Sequence, residues 1–422
     1  MRYTHLVLRG NLYYFQCRVP GDIKHYFPGM QIRKSLKTDN SITRLGPVYQ
    51  SSAPVWNAGT SGRLGQIISR EQNIGVNSNL AEPTSPIKRT GSGLIKRSQG
   101  ENSMLKRTSI TFQELFSASP VILGEGAVIE RLRRSKDVHL DEHVVNSALI
   151  YQDAGRSALE TICRQYLEIG RRYNLPLLLS TPTWRAGKER SAAAGLASRD
   201  INGDNFRFLA DLRDKYGDYS RKIAICGLMS CRGDAYKPEE AMLERDAAKF
   251  HAWQADALAA AGVDFLLAST LPALSEAIGL ARAQAATGLP YMISFVIRPE
   301  GTLLDGTPLS DAINSIDTSV SPRPQAFLIN CTHASVFHRA MLHETNSSPI
   351  VRERVVGLLA NTASLSPDEL DGSLELVEEE PEIFGRSVAA LYRELGMKVL
   401  GGCCGTDNRH IESLARNLCY GT

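Results

Sequence analysis

The chain is expected to be an α/β protein built on a closed (β/α)8 barrel, preceded by a small basic β-rich appendage and a disordered linker. Three observations lead there. From about residue 111 onward, short apolar runs alternate with amphipathic helical stretches, and the runs number eight. The remaining 312 residues, 111–422, suit that fold with modest insertions. The runs are apolar on both faces, as a parallel sheet covered by helices requires.

The candidate strands are Val121–Leu123, Leu175–Leu179, Lys222–Cys226, Phe265–Ala268, Tyr291–Val296, Ala326–Cys331, Val355–Ala360 and Lys398–Leu400. Each is short and rich in Leu, Ile, Val or Phe, which separates a buried strand from a helix of ten residues or more. Between them the spacing predicts helices over Ala148–Tyr173, Pro238–Ala261, Leu274–Thr287 and Pro381–Leu395. No internal repeat interrupts the pattern.

The first 110 residues have a different texture. They hold 16 Lys and Arg against 5 Asp and Glu, a net of +11, and the rest holds 32 against 40, a net of −8. The overall +3 therefore hides two surfaces of opposite sign. Residues 1–40 contain strand-like runs at His5–Leu8, Leu12–Val19 and Gln31–Leu36, with Tyr13, Tyr14 and Phe15 read as a small core. Residues 41–110 are rich in Ser, Asn, Gly and Thr, carry basic pairs at Lys88-Arg89, Lys96-Arg97 and Lys106-Arg107, and read as a linker in which Leu64–Ile68 could form a turn of helix at most. Such a basic segment can contact nucleic acid, and a solvated tail is the preferred reading.

With 43% hydrophobic and 22% charged residues the composition is that of a globular protein. No stretch approaches the ~18 apolar residues of a membrane span, and Met1-Arg2-Tyr3-Thr4-His5 shows no secretory pattern. A reducing cytoplasm is the expected compartment. Eight cysteines spread over 422 residues exclude a disulfide scaffold.

Three of those cysteines carry the chemistry. Cys331 ends the sixth candidate strand, in Phe327-Leu328-Ile329-Asn330-Cys331-Thr332, and Cys403 and Cys404 end the eighth, in Gly401-Gly402-Cys403-Cys404-Gly405-Thr406. In a barrel the active site forms at the C-terminal strand ends, so all three share one rim. Adjacent residues on a strand face opposite ways, so Cys403 and Cys404 can meet only where the backbone turns, and the flanking glycines permit that. Three thiolates can hold one zinc ion and leave its fourth position open, which marks a catalytic rather than a structural site. A zinc-bound thiol loses its proton near neutral pH and becomes a nucleophile suited to an electrophilic methyl group. Cys226 reads as core, Cys231 as a loop thiol, Cys163 as core and Cys419 as incidental. His333 and Trp184 lie on the same rim; the indole could stack on a cationic methyl donor or simply pack.

Asn330-Cys331-Thr332, Gly401-Gly402-Cys403-Cys404-Gly405-Thr406, Val263-Asp264-Phe265-Leu266-Leu267, Ile293-Ser294-Phe295 and Asp305-Gly306-Thr307-Pro308-Leu309 resemble the zinc-dependent homocysteine S-methyltransferase family. The resemblance covers residues 111–422. It implies Cys331, Cys403 and Cys404 as the ligands of one zinc per chain, and transfer of a methyl group from a sulfonium or ammonium donor to homocysteine, giving methionine. It implies substrate contacts at Glu125, Gly126, Ser269, Asn330 and Asn361. Two positions depart from the family pattern. The first strand is followed by Gly124-Glu125-Gly126-Ala127 in place of Asp-Gly-Gly, so the acid is one methylene longer. Ser269, in Ala268-Ser269-Thr270-Leu271-Pro272, stands where the family carries Glu, and a hydroxyl cannot pair with an ammonium as a carboxylate does. A different thiol substrate is therefore the alternative, with a non-enzymatic DNA-binding protein as the other. The donor and the oligomeric state are not readable. Residues 1–40 resemble the N-terminal module of phage-type tyrosine integrases, without the catalytic domain that would imply recombination.

Overall fold

The computed structural model describes residues 3–9, 12–18, 31–35, 110–363 and 379–421. The chain forms two compact units, Met1–Gly100 and Glu101–Thr422. In the first, β1 (Tyr3–Arg9), β2 (Leu12–Arg18) and β3 (Gln31–Ser35) make an antiparallel sheet in sequence order. The side chains of Tyr13, Tyr14 and Phe15 and the linker over 41–109, with its basic pairs and Leu64–Ile68, lie outside the described residues.

The second unit is the expected barrel. Its strands are β4 (Ile122–Gly124), β5 (Leu177–Ser180), β6 (Ile223–Met229), β7 (Phe265–Leu271), β8 (Tyr291–Phe295), β9 (Ala326–His333), β10 (Val355–Asn361) and β11 (Val399–Gly402). Each pairs in parallel with the next, and β11 closes onto β4. All eight predicted strands are present, most running one to three residues further toward the C-terminal rim.

The helices wrap the barrel as the apolar periodicity requires. Pro381–Leu395 coincides with its predicted range and ends at Gly396 in the left-handed conformation. Two predicted helices are shorter at their N-termini. A 3₁₀ turn at Ser147–Tyr151 precedes the helix Asp153–Arg172, because Gln152 is extended; another at Pro238–Glu240 precedes Glu244–Ala261. Most buried apolar side chains sit between strands and helices, in a layer that includes Leu123, Tyr166, Leu266 and Phe337. Among the described residues no helix is long and apolar enough to cross a membrane.

The bottom of the barrel is stoppered. Helix Phe112–Ala118 begins with a capping box in which Thr111 and Glu114 satisfy each other's backbone N–H groups. Its buried face, Phe112, Leu115 and Phe116, joins Ile122, Leu178, Cys226, Phe265, Met292, Leu328 and Val399 in the barrel's inner core. Phe112 stacks on Phe265 with ring centroids 3.9 Å apart. Closing this end leaves the C-terminal rim as the open face. Phe112→Ala should lower the unfolding free energy by about 3–5 kcal/mol, measured by urea denaturation, without displacing the cysteines at the opposite rim.

Candidate metal and substrate site

The site is built from two departures from regular strand geometry. On β9, Asn330 pairs with Leu359 and Thr332 with Ala360, which leaves Cys331 as the extra residue of a bulge, at φ 51°. On β7 the register with β8 slips between Ala268 and Leu271, and Thr270 sits there at φ 62°. Left-handed backbone is costly for non-glycine residues, and for a β-branched one most of all. The buried Asn330 side chain holds both bulges. Its Oδ1 accepts the Thr270 N–H (3.0 Å) and the Ser294 hydroxyl (2.6 Å), and its Nδ2 donates to Thr270 Oγ1 (2.7 Å). Ser294 lies opposite the β7 bulge, so three strands are tied at one amide.

A turn after β11 supplies the other side of the site. The chain turns at Cys403, and the Thr406 N–H reaches back to the Cys403 carbonyl (3.2 Å), joined by the Thr406 hydroxyl (2.7 Å). Gly405 takes φ 83° within this turn. The end of β10 fixes the turn from the side. Cys403 N–H donates to the Ala360 carbonyl (2.7 Å), and Cys404 N–H to Asn361 Oδ1 (3.1 Å). On the other flank Glu130 accepts the Gly405 N–H. Gly126 is buried beneath the turn, where a side chain would strike the Tyr166 hydroxyl and Thr406.

These two devices bring the three thiols together. Cys331 Sγ lies 2.8 Å from Cys403 Sγ, which lies 4.0 Å from Cys404 Sγ, and all three sulfurs fall within 4.8 Å of one another. Three thiolates around a tetrahedral ion at about 2.3 Å are separated by roughly 3.8 Å, so a small outward movement of Cys331 suits the set to one ion. The donors are all sulfur, a soft set of the kind that selects zinc. Cys331 is buried; Cys403 and Cys404 are partly exposed to the rim. Hydrogen bonds from Cys403, Cys404, Tyr236 and Asn330 hold the Cys331 thiol well below its usual range, and that negative sulfur pushes the other two up.

Of the remaining predicted residues, Asn330 spends its side-chain atoms on Thr270 and Ser294, and Asn361 accepts the Cys404 N–H. Ser269 is buried, with its hydroxyl 3.3 Å from Thr270 Oγ1. Glu125 follows β4, half-buried at the rim, with Oε1 accepting the Ser180 N–H (3.0 Å); burial pushes its carboxyl up to about 7. His333 caps helix Ala334–Leu342 through Ser335 and has its Nε2 3.7 Å from Glu379. The Trp184 ring is covered by the Arg185 guanidinium, 4.3 Å from its centroid. Cys226 and Cys163 are core residues, as expected. Cys231 lies in the loop after β6, as expected, and is buried there, which pushes its thiol up to about 11. Tyr236 and Glu130 were not singled out from the sequence. Tyr236 lies on the loop after β6, near enough to Cys331 that the charge of that sulfur pushes its phenol up. A loop aromatic just past a barrel strand was the available signal, and it is a weak one.

A family model described as homocysteine S-methyltransferase matches residues 122–418, the whole barrel from β4 to the last helix. The chain belongs to the homocysteine S-methyltransferase family. It is a methyltransferase by that membership. Homocysteine S-methyltransferase YbgG of Bacillus subtilis is 24% identical over 323 residues, covering 72% of this chain and 96% of that protein. Betaine–homocysteine S-methyltransferase 1 of Bos taurus is 23% identical over 329 residues, 72% of this chain and 74% of its own. Crystal structures of the homocysteine methyltransferase MmuM from Escherichia coli share the fold. The oxidized form has a TM-score of 0.58 at 20% identity, over 72% of this chain and 97% of that one; the metallated form has 0.57 at 19%, over 72% and 98%. A second family model, for a domain of unknown function, matches residues 5–43 and assigns no activity to the N-terminal sheet.

Asn330→Ala should release both bulges at once. The expected cost is roughly 2–4 kcal/mol from the stranded Thr270 and Ser294 groups, read by denaturation. A larger relative loss of metal retention should accompany it than with Phe112→Ala.

Proposed function

We propose that Cys331, Cys403 and Cys404 hold one zinc ion, and that the 111–422 unit transfers a methyl group from a cationic sulfonium or ammonium donor to the sulfur of homocysteine. The observation that carries this reading is the convergence of three thiols, from two distant segments, at the open rim of a barrel closed at its other end. Zinc on three thiolates supplies a centre that lowers the pKa of a substrate thiol and keeps its sulfur nucleophilic.

The chain's own residues supply position and environment. Glu125 offers a carboxylate at the rim to the substrate ammonium, a role that the neutral Ser269 cannot share. Tyr236 closes one side of the triad through the Cys331 sulfur. In the transfer itself a sulfur–carbon bond forms as the carbon–donor bond breaks, and the donor leaves as a neutral sulfide or amine. No general acid is needed for such a leaving group. Proximity and alignment account for most of the rate.

Two outcomes test this reading. Purified protein should contain about one zinc per chain, and Cys403→Ala should lose both the metal and methionine formation across a panel of methyl donors. Zinc retained without turnover on any donor would redirect the search to another thiol, with Ser269 as its cause. The second outcome concerns pH. Because the Glu125 carboxyl is raised to about 7, it is neutral below that value and cannot pair with an ammonium. The loss of Glu125 charge should steepen the fall of kcat/KM for homocysteine as pH drops through 7, by up to about a further tenfold per unit, and Glu125→Gln should be slow and lack that added steepness. An unchanged pH profile in Glu125→Gln removes Glu125 from substrate binding.

A further inference from the structure

The loop from Ser230 to Leu243 leaves the end of β6 and carries Tyr236 to the Cys331 sulfur. Its backbone is gripped from opposite sides by groups of opposite charge. On one side Glu276, 1% exposed in helix Leu274–Ala286, accepts the Arg232 N–H on Oε1 (2.6 Å) and the Met242 N–H on Oε2 (3.1 Å). Its Oε1 also meets His251 Nε2 at 2.9 Å, on the helix that follows the loop. On the other side Arg185 Nη1 donates to the carbonyls of Cys231 (2.8 Å) and Gly233 (2.6 Å), and Arg190 Nη2 to that of Arg232 (3.2 Å). Within the loop, Glu240 accepts the Asp234 N–H and Asp234 Oδ1 accepts the Tyr236 N–H, both at 2.9 Å.

A buried carboxylate is an expensive way to pack a helix, since its desolvation must be offset by bonds that satisfy it. Glu276 meets that cost with N–H groups from the two ends of one loop, ten residues apart in sequence. Gathering both ends onto a single side chain closes the loop at its neck. The Asp234 bridge then passes that constraint to Tyr236. From this arrangement we infer that Glu276 is a positioning residue that, with Arg185, sets Tyr236 against the cysteine triad. It touches neither substrate nor metal. The inference rests on the reading that the triad holds zinc, because Tyr236 matters there as a polar neighbour of a ligand sulfur.

The test is a double-mutant cycle on zinc affinity, measured by competition with a chromophoric chelator on the full chain, with thermal unfolding followed in parallel. Outer-shell partners of a ligand typically contribute 10–100-fold in metal affinity. Tyr236→Phe and Glu276→Gln should each weaken zinc by at least about tenfold, and the double variant should be no weaker than Tyr236→Phe alone. Arg185→Met, which keeps the length and removes the donor to the loop carbonyls, should behave as Glu276→Gln does; it decides the matter if Glu276→Gln fails to fold. Effects that multiply in the double variant, or folded variants with unchanged zinc affinity, overturn the inference while leaving the metal reading intact. An unaltered chain that binds no zinc overturns both.

Discussion

The hydrogen bonds of Asn330 are the constraint on which the site depends. A β-strand offers its side chains alternately to two faces, and no regular strand end would aim Cys331 where it lies. The bulge re-aims it at the cost of a positive φ, and the neighbouring β7 bulge places the same strain on Thr270. Such residues cost about 1–3 kcal/mol each and persist only where their surroundings over-determine them. One buried amide does that for both, using donor and acceptor together across β7, β8 and β9. The asparagine beside the cysteine thus fixes where the sulfur points.

The opposite wall obeys the same logic with different parts. Strands in a sheet are ~4.8 Å apart, so β9 and β11, separated by β10, stand nearly 10 Å from each other. Their sulfurs meet because both chains bend over the end of β10, which stops at Asn361. That residue, Ala360 and Glu130 hold the turned backbone at Cys403, Cys404 and Gly405 through its N–H groups. The site is therefore formed by backbone irregularity under side-chain control, on a scaffold whose bottom is sealed by Phe112 and its neighbours. Rigidity below and strain above together give a preformed cluster of thiols.

How much of this was readable depended on whether a feature repeats. The eight strands were legible because burial on both faces makes each a continuous apolar run, and strand–helix alternation recurs through the whole barrel. The cysteine triad was legible because glycines crowd the one place where two adjacent thiols must face the same way. Helix Phe112–Ala118 was not foreseen: it is seven residues long and its partner Phe265 is remote in sequence. Asn330 and Asn361 were legible as polar residues of the rim, but their ties to Thr270, Ser294 and Cys404 were not, since those partners come from other strands. Tyr236 and Glu276 are single residues whose roles come from loop closure, which leaves no periodic trace. Trp184 shows the limit of placing a residue on the rim, because one face of its ring is covered by its own neighbour Arg185, which rim placement alone does not reveal.

The central claim is that one zinc ion sits on three cysteine thiolates with a position left for the substrate sulfur. X-ray absorption at the zinc edge, recorded on the purified protein with and without homocysteine, tests it most directly. The account predicts three sulfur neighbours at about 2.3 Å in the free protein and a fourth when homocysteine is added. A first shell built from nitrogen or oxygen, or one unchanged by homocysteine, would contradict it.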